Sequence, residues 1–257
     1  MLDSYSMVTE LNWLFVLVFF SNAVEAIAGF GATILALTFG ASLFPIEELV
    51  PILVPLNLLL SLIIVARNRN DVEYTLLWKK MLPFAGIGLP VGLILFQVIT
   101  GPTLKIVFAV FVILLSTREL IRRFVLKRED AAHFSPAIEK ALLTGSGILQ
   151  GLYASGGPLA VYYASRMIKN KSRFRASLSF FWLILNSVTT ATLIYTAKIS
   201  SYTFLYSLRL LPFVLAGLVA GNYLHHRIPE NKFRVLVYAL LFFAGSSLLY
   251  RSIASSI

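Results

Sequence analysis

The chain has 257 residues, of which 58% are hydrophobic and only 13% are charged. Soluble domains carry roughly 25% charged residues, so this composition excludes an ordinary soluble domain and predicts an integral membrane protein. The chain has no cysteine, which excludes disulfides and thiol catalysis, and we interpret its net charge of +10 as a topology signal rather than a nucleic-acid surface, because the basic residues gather in a few loops.

Ten apolar segments are predicted to be helical. In the first half of the chain they are approximately 11–28, 32–44, 47–66, 75–99 and 103–123, and in the second half 139–154, 158–167, 174–196, 202–225 and 231–250. The segments 32–44 and 158–167 reach only about 15–20 Å, which is too short to cross a ~30 Å hydrocarbon core upright. We expect them to be half-helices of two hairpins, re-entrant or fully spanning, whose irregular tips face protein or a water-filled cavity.

Several residues of the first half recur 129 positions later in the second half. The pairs are Pro83 with Pro212, Gly88 with Gly217, Gly92 with Gly221, and Asn57 with Asn186. This register predicts two related repeats, 1–125 and 137–257, joined by a linker at 126–136. The predicted fold is therefore all-α and membrane-embedded, with two five-helix repeats, each containing a broken-helix hairpin, and 8–10 membrane helices in all.

The basic loops predict the orientation of the repeats. Lysines and arginines cluster near 67–80, 118–140, 166–175 and 227–234, which we place in the cytoplasm together with the linker. With those loops inside, the first hairpin opens outside and the second opens inside, so the two repeats are inverted. Both termini are predicted on the outside of the cytoplasmic membrane.

Two glycine-containing stretches, 28–31 and 153–158, are predicted to interrupt helices at depth. Pro158 suits a first helical turn, and a helix start offers free N–H groups and partial positive charge to an anion. Inverted repeats with broken helices indicate a secondary transporter that works by alternating access and binds its substrate between the two half-helix starts, which are expected to meet near the membrane midplane. The predicted substrate-binding residues are Gly29, Phe30, Gly31, Thr33, Asn57, Gln150, Tyr153, Ser155, Gly156, Gly157 and Asn186.

Polar side chains within the apolar segments are the second group of candidates, because each is costly there unless it is used or paired. Asn22 and Glu25 share a helix face before the first break. Glu25 is either a carrier of a coupling proton or a structural partner for a basic group or a backbone N–H. Arg175 either attracts an anion at the cytoplasmic mouth or marks the inner interface. Asn57 and Asn186 bind the substrate, the hairpin tips or a neighbouring helix.

The remaining glycines and the absence of catalytic motifs narrow the candidate functions. Six glycines are expected only to let helices pack closely: Gly88, Gly92, Gly145, Gly147, Gly217 and Gly221. No metal-ligand spacing, nucleophile–base pair or phosphate loop is present, so neither an enzyme nor a cofactor is predicted.

The expected partners are a small anion, the lipid bilayer and a coupling proton or ion. The oligomeric state is either a monomer or a homodimer. The alternatives are a channel-like anion pathway, a transporter of carboxylates, and an intramembrane enzyme or assembly factor.

Three stretches carry a resemblance to a known family: the run GLYASGGP at 151–158, FRASL at 174–178 and the early glycine-containing segment 28–31. On these residues the chain resembles the sulfite exporter TauE/SafE family, also described as 4-toluene sulfonate uptake permeases. The resemblance covers nearly the whole chain, although Glu25 and Phe30 stand where a richer glycine run is typical. It implies transport of small sulfur-containing anions, such as sulfite, sulfonates or sulfoacetate, across the cytoplasmic membrane.

Overall fold

A computed structural model describes residues 2–28, 31–99, 101–121, 135–225 and 230–254. These residues form ten helices: α1 Leu2–Ala28, α2 Ala32–Gly40, α3 Ile46–Arg67, α4 Tyr74–Val98, α5 Pro102–Ile121, α6 Pro136–Tyr153, α7 Gly157–Met167, α8 Lys171–Tyr195, α9 Ser201–His225 and α10 Glu230–Ala254. Gly29, Phe30 and the linker through residue 134 lie outside the described residues.

The helices have the apolar character of membrane segments. Within the described ranges, four are long and apolar enough to cross a bilayer: Ile46–Arg67, Tyr74–Val98, Ser172–Tyr195 and Thr203–Leu224. Shorter apolar stretches run through Trp13–Ile27 and Tyr238–Ala254. The prediction of an all-helical integral membrane protein is confirmed.

Both predicted helix breaks are present. α1 ends at Ala28 and α2 begins at Ala32, after Gly31 adopts a φ of 111°. α6 ends at Tyr153, one residue before the predicted end, and α7 begins at Gly157. The next residue, Ala154, has a left-handed φ of 48°, which is costly for a residue with a Cβ and stops the helix.

Three predicted helix boundaries differ from the structure by four residues or more, and one of them is the end of α10, at Ala254 rather than near Tyr250. α1 begins at Leu2 rather than near Leu11, because the helix continues through a polar stretch that hydropathy alone does not mark. α2 ends at Gly40 rather than Phe44, because the N–H groups of Leu43 and Phe44 both donate to the Gly40 carbonyl and close a turn. α2 is therefore a nine-residue half-helix.

The described residues divide into two compact units, and each draws helices from both halves of the chain. The first unit contains residues 1–49, 101–128 and 208–257, and the second contains 50–100 and 129–207. Helices α3 and α9 contribute to both units.

In the first unit, α9 packs on the backbone of α1. A Cβ at Gly217 would overlap the carbonyl oxygen of Phe19, and one at Gly221 would overlap that of Ala23. The rings of Phe15 and Phe213 stack beside this contact with their centroids 4.7 Å apart. The helix pair is thus held close by glycine, as predicted for these two positions.

In the second unit, the same kind of contact joins α4 and α6, and we call it the glycine seam. Its members are Gly88 and Gly92 on α4, and Gly147 and Gly151 on α6. A Cβ on any of the four would overlap backbone atoms of the facing helix, among them the carbonyl oxygens of Thr144 and Ala85. The seam fixes the last turns of α6, and therefore the second break, against α4.

The N-terminal end of α8 is tied to the residues that precede α4. The Ser177 hydroxyl accepts the Glu73 N–H at 2.9 Å, and the guanidinium of Arg173 pairs with the Glu73 carboxylate at 2.9 Å. A single turn of π-helix, Leu77–Met81, follows within α4, and Trp78 from this turn lies edge-on to Phe180 of α8. These contacts hold the N-terminal end of α8 against the start of α4.

Candidate functional site

The second break is folded back onto the end of α6. The Ser146 hydroxyl donates to the Gly156 carbonyl at 2.7 Å, and the Gly156 N–H donates to Gln150 Oε1 at 3.2 Å. A Cβ at position 156 would overlap the Ser146 carbonyl oxygen. Glycine at 156 is therefore required by packing against α6, and its amide already has a protein partner.

Gln150 continues this connection to α8. Its Nε2 donates to Asn186 Oδ1 at 2.6 Å, and both side chains are almost fully buried. One helical turn earlier, the ring of Trp182 lies 3.8 Å from the place where a Cβ of Gly157 would stand. The start of α7 thus lies directly against the face of α8 that carries Trp182 and Asn186.

Ser155 is the distinctive residue of the break. It is only 4% exposed, and its Oγ has no hydrogen-bond partner among the described residues. A buried hydroxyl without a partner costs roughly 1–3 kcal/mol, so Ser155 would gain a hydrogen bond by contacting a polar ligand. Ser155 lies two residues before the start of α7, an 11-residue helix in whose first turn the N–H groups of Gly157 and Leu159 lack intrahelical acceptors.

Thr190 supports the same interpretation. Its Oγ1 is buried without a partner in the described structure, and it follows Asn186 by one helical turn on the same face of α8. Trp182, Asn186 and Thr190 therefore form a stripe at i, i+4 and i+8. Sequence reasoning missed Thr190, Trp182 and Ser146, although the four-residue spacing from Asn186 was a usable signal for the first two.

The remaining candidates of the second unit surround this group at different depths. Tyr153 is fully buried as the last residue of α6. Asn57 is half-buried in α3, and Arg175 is half-buried near the start of α8. The structure brings together Gln150, Ser155, Gly156, Gly157 and Asn186.

The first break lies in the first unit and has a different chemistry. The Ala32 N–H at the start of α2 donates to Glu25 Oε2 at 2.8 Å, so a carboxylate of the preceding helix caps the half-helix. Of the two roles weighed for Glu25, the structure thus displays a contact with a backbone N–H. Asn22 donates from Nδ2 to the Val18 carbonyl at 2.8 Å, and its buried Oδ1 has no partner among the described residues.

Two substitutions of Glu25 are expected to destabilise the first break to different extents. We expect Glu25→Ala to lower the free energy of unfolding by about 1–2 kcal/mol, because the Ala32 N–H loses its acceptor. Glu25→Gln keeps an oxygen at that position and should lose much less. Thermal unfolding of the purified variants in detergent measures the difference, and equal losses in both variants would show that the hydrogen bond to Ala32 is not what stabilises the hairpin.

Comparison with known proteins gives the family. Residues 14–248 match the family described as sulfite exporter TauE/SafE. A curated relative, the "Probable inner membrane transporter protein TsaS" of Comamonas testosteroni, is 29% identical over 103 residues, which cover 40% of this chain and 43% of the relative. No solved structure matches the chain. Because the family match extends over most of the sequence, the chain belongs to the sulfite exporter TauE/SafE family.

Proposed function

We propose that the protein is a secondary transporter that carries small sulfur-containing anions across the cytoplasmic membrane and binds them at the second helix break. The observation that carries this proposal is the buried hydroxyl of Ser155, which has no partner among the described residues and lies two residues before the start of α7. A helix start supplies N–H donors and partial positive charge, and the hydroxyl adds a donor aimed at the same ligand.

The buried polar side chains described in the second unit carry no charge, and this favours an anion that is bound and then released. In the second unit, the fully buried polar side chains of the described residues are all neutral: Ser61, Ser146, Gln150, Ser155, Ser177, Ser179, Asn186, Thr189 and Ser207. Neutral donors attract an anion through dipoles without the strong countercharge of a buried lysine or arginine. Such binding is weak enough to be reversed during each transport cycle.

Family membership and the partial relative support the choice of substrate and activity. The family is described as sulfite exporters, and the relative as an inner membrane transporter. We propose sulfite, sulfonates or sulfoacetate-like anions as the substrates, moved by alternating access and driven by a proton or ion gradient. We also propose that the chain consists of two inverted repeats, since Gly88 and Gly92 correspond to Gly217 and Gly221, and each pair packs on a helix backbone.

Replacing Ser155 tests the proposal. In proteoliposomes with an imposed ion gradient, the wild-type protein should accumulate a sulfonate or sulfite against its own gradient. Ser155→Ala should lower the transport rate at low substrate concentration by roughly tenfold, because a donor to the anion worth about 1–2 kcal/mol is lost. Ser165→Ala is the matched control, since that hydroxyl lies on an exposed face of α7 and donates to the Tyr162 carbonyl.

The same assay separates the competing functions. Downhill flux without accumulation indicates a channel-like pathway, and accumulation of carboxylates but not sulfur oxyanions indicates a different substrate class. If the reconstituted wild-type protein moves no anion at all, the transport proposal is wrong and an intramembrane enzyme or assembly factor is favoured.

A further inference from the structure

The hydrogen bonds that join Gly156, Gln150 and Asn186 have a fixed direction, and we call them the amide relay. A backbone N–H can only donate, so the atom of Gln150 that faces Gly156 must be its oxygen. The amino group of Gln150 is then turned toward Asn186, and the Asn186 atom that receives it must also be the oxygen. The orientation of both side-chain amides follows from the first donor.

The relay leaves the amino group of Asn186 on the side away from Gln150. Asn186 Oδ1 is occupied by Gln150, whereas Nδ2 has no protein partner within the described residues. Serine and threonine hydroxyls can rotate to donate or accept, so Ser155 and Thr190 adapt to a ligand. Asn186 cannot adapt without breaking the relay, because turning its amide would place two amino groups face to face.

We infer that Asn186 is a donor-only contact that selects fully ionised oxyanions over oxyanions that keep a proton, and that Gln150 is the positioning residue that enforces this. The inference rests on the proposed anion site at the second break. A sulfonate presents three oxygens that only accept hydrogen bonds. A phosphonate or phosphate monoanion has a similar shape and the same charge, but its P–OH group needs an acceptor. Because Asn186 Nδ2 cannot accept, that hydroxyl must instead donate to Ser155 or Thr190, and the anion then loses the hydrogen bond that this side chain would donate to a sulfonate oxygen.

Methanesulfonate and methylphosphonate test the inference as a matched pair. At a pH where methylphosphonate is a monoanion, both probes have one negative charge and nearly the same shape. Dissociation constants from ligand-induced thermal shifts should favour methanesulfonate by roughly tenfold or more in the wild-type protein. In Asn186→Asp the order should reverse, because the carboxylate still accepts from Gln150 while its second oxygen accepts from P–OH. The added charge weakens both probes alike and cancels in the ratio.

A second variant covers the case in which Asn186→Asp does not fold. Asn186→Ala removes the fixed donor, so the preference should fall to within about threefold, while Ser187→Ala, an exposed neighbour on α8, should keep the wild-type ratio. If the wild-type preference survives in Asn186→Asp or Asn186→Ala, the inference is wrong although the anion site stands. If neither probe shifts the wild-type protein and no sulfur oxyanion does, the proposed function itself is wrong.

Discussion

Alanine at Gly88 is expected to prevent stable folding of the second unit, whereas alanine at Gly86, two residues earlier on the same helix, should be tolerated. The Gly88 Cα faces α6 so closely that a single added methyl group would overlap the Thr144 carbonyl oxygen and approach the Ile148 N–H. At Gly86, no atom outside the adjoining backbone of α4 lies within 4 Å of the position that a Cβ would take. The two substitutions add the same atoms to the same helix and differ only in what those atoms meet.

The expected energies have opposite signs. Overpacking of a closely packed site costs typically 1–3 kcal/mol, and here the obstacle is helix backbone, which cannot rotate away, so we expect about 3 kcal/mol or more. Gly86→Ala should instead gain up to about 1 kcal/mol, because alanine has the higher helix propensity and no clash offsets it. Gly92→Ala should behave like Gly88→Ala, since its Cβ would overlap the Ile148 carbonyl oxygen.

Fluorescence-detected size-exclusion chromatography and thermal unfolding in detergent measure both outcomes. The Gly88 variant should give little monodisperse protein or a melting temperature many degrees lower, and the Gly86 variant should match or exceed the wild type. Equal behaviour of the two variants would mean that α4 and α6 do not pack through the glycine seam.

Replacing Gln150 by methionine should both destabilise the second break and abolish the anion-induced thermal shift. Methionine has nearly the length and shape of glutamine, so little cavity or clash is added. The Gly156 N–H and Asn186 Oδ1 each lose a partner in a buried environment, and each loss costs roughly 1–3 kcal/mol. The break then no longer holds Ser155 and the start of α7 against Asn186.

Gln97→Met is the matched control for this substitution. Gln97 is exposed near the end of α4, and a surface change of this kind usually stays within about 0.5 kcal/mol. Thermal unfolding with and without a sulfonate gives both readouts. A Gln150→Met protein that keeps wild-type stability and its full ligand shift would show that the amide relay has no role in holding the site.

Helix ends could be predicted from the sequence where glycine or proline interrupts an apolar segment. The ends of α1 and α6 and the start of α2 were predictable because Gly31, Gly156, Gly157 and Pro158 have strong local preferences. The nine extra residues of α1 were not, because a polar sequence can be helical without any hydropathy signal. The π-turn at 77–81 has no sequence signature that we could use.

The candidate site was predictable as a set of residues but not as a set of bonds. Ser155, Gln150 and Asn186 were each singled out as polar groups in apolar segments. That Gln150 connects Gly156 to Asn186 could not be predicted, because the partners lie 36 residues apart and meet only through the packing of α6 and α8. The four-residue spacing from Asn186 marks Thr190 in the sequence, but that its hydroxyl has no partner among the described residues is visible only once burial is known.

The distribution of helices between the two units has a consequence for biosynthesis. While the ribosome is still making the first half, α4 has already left it with Gly88 and Gly92 uncovered, and the facing helix α6 does not yet exist. α9, whose glycines pack on α1, is synthesised later still. Neither unit can close on helices from the first half alone, so the nascent protein must keep its early helices shielded by lipid or by the insertion machinery until the final segments arrive.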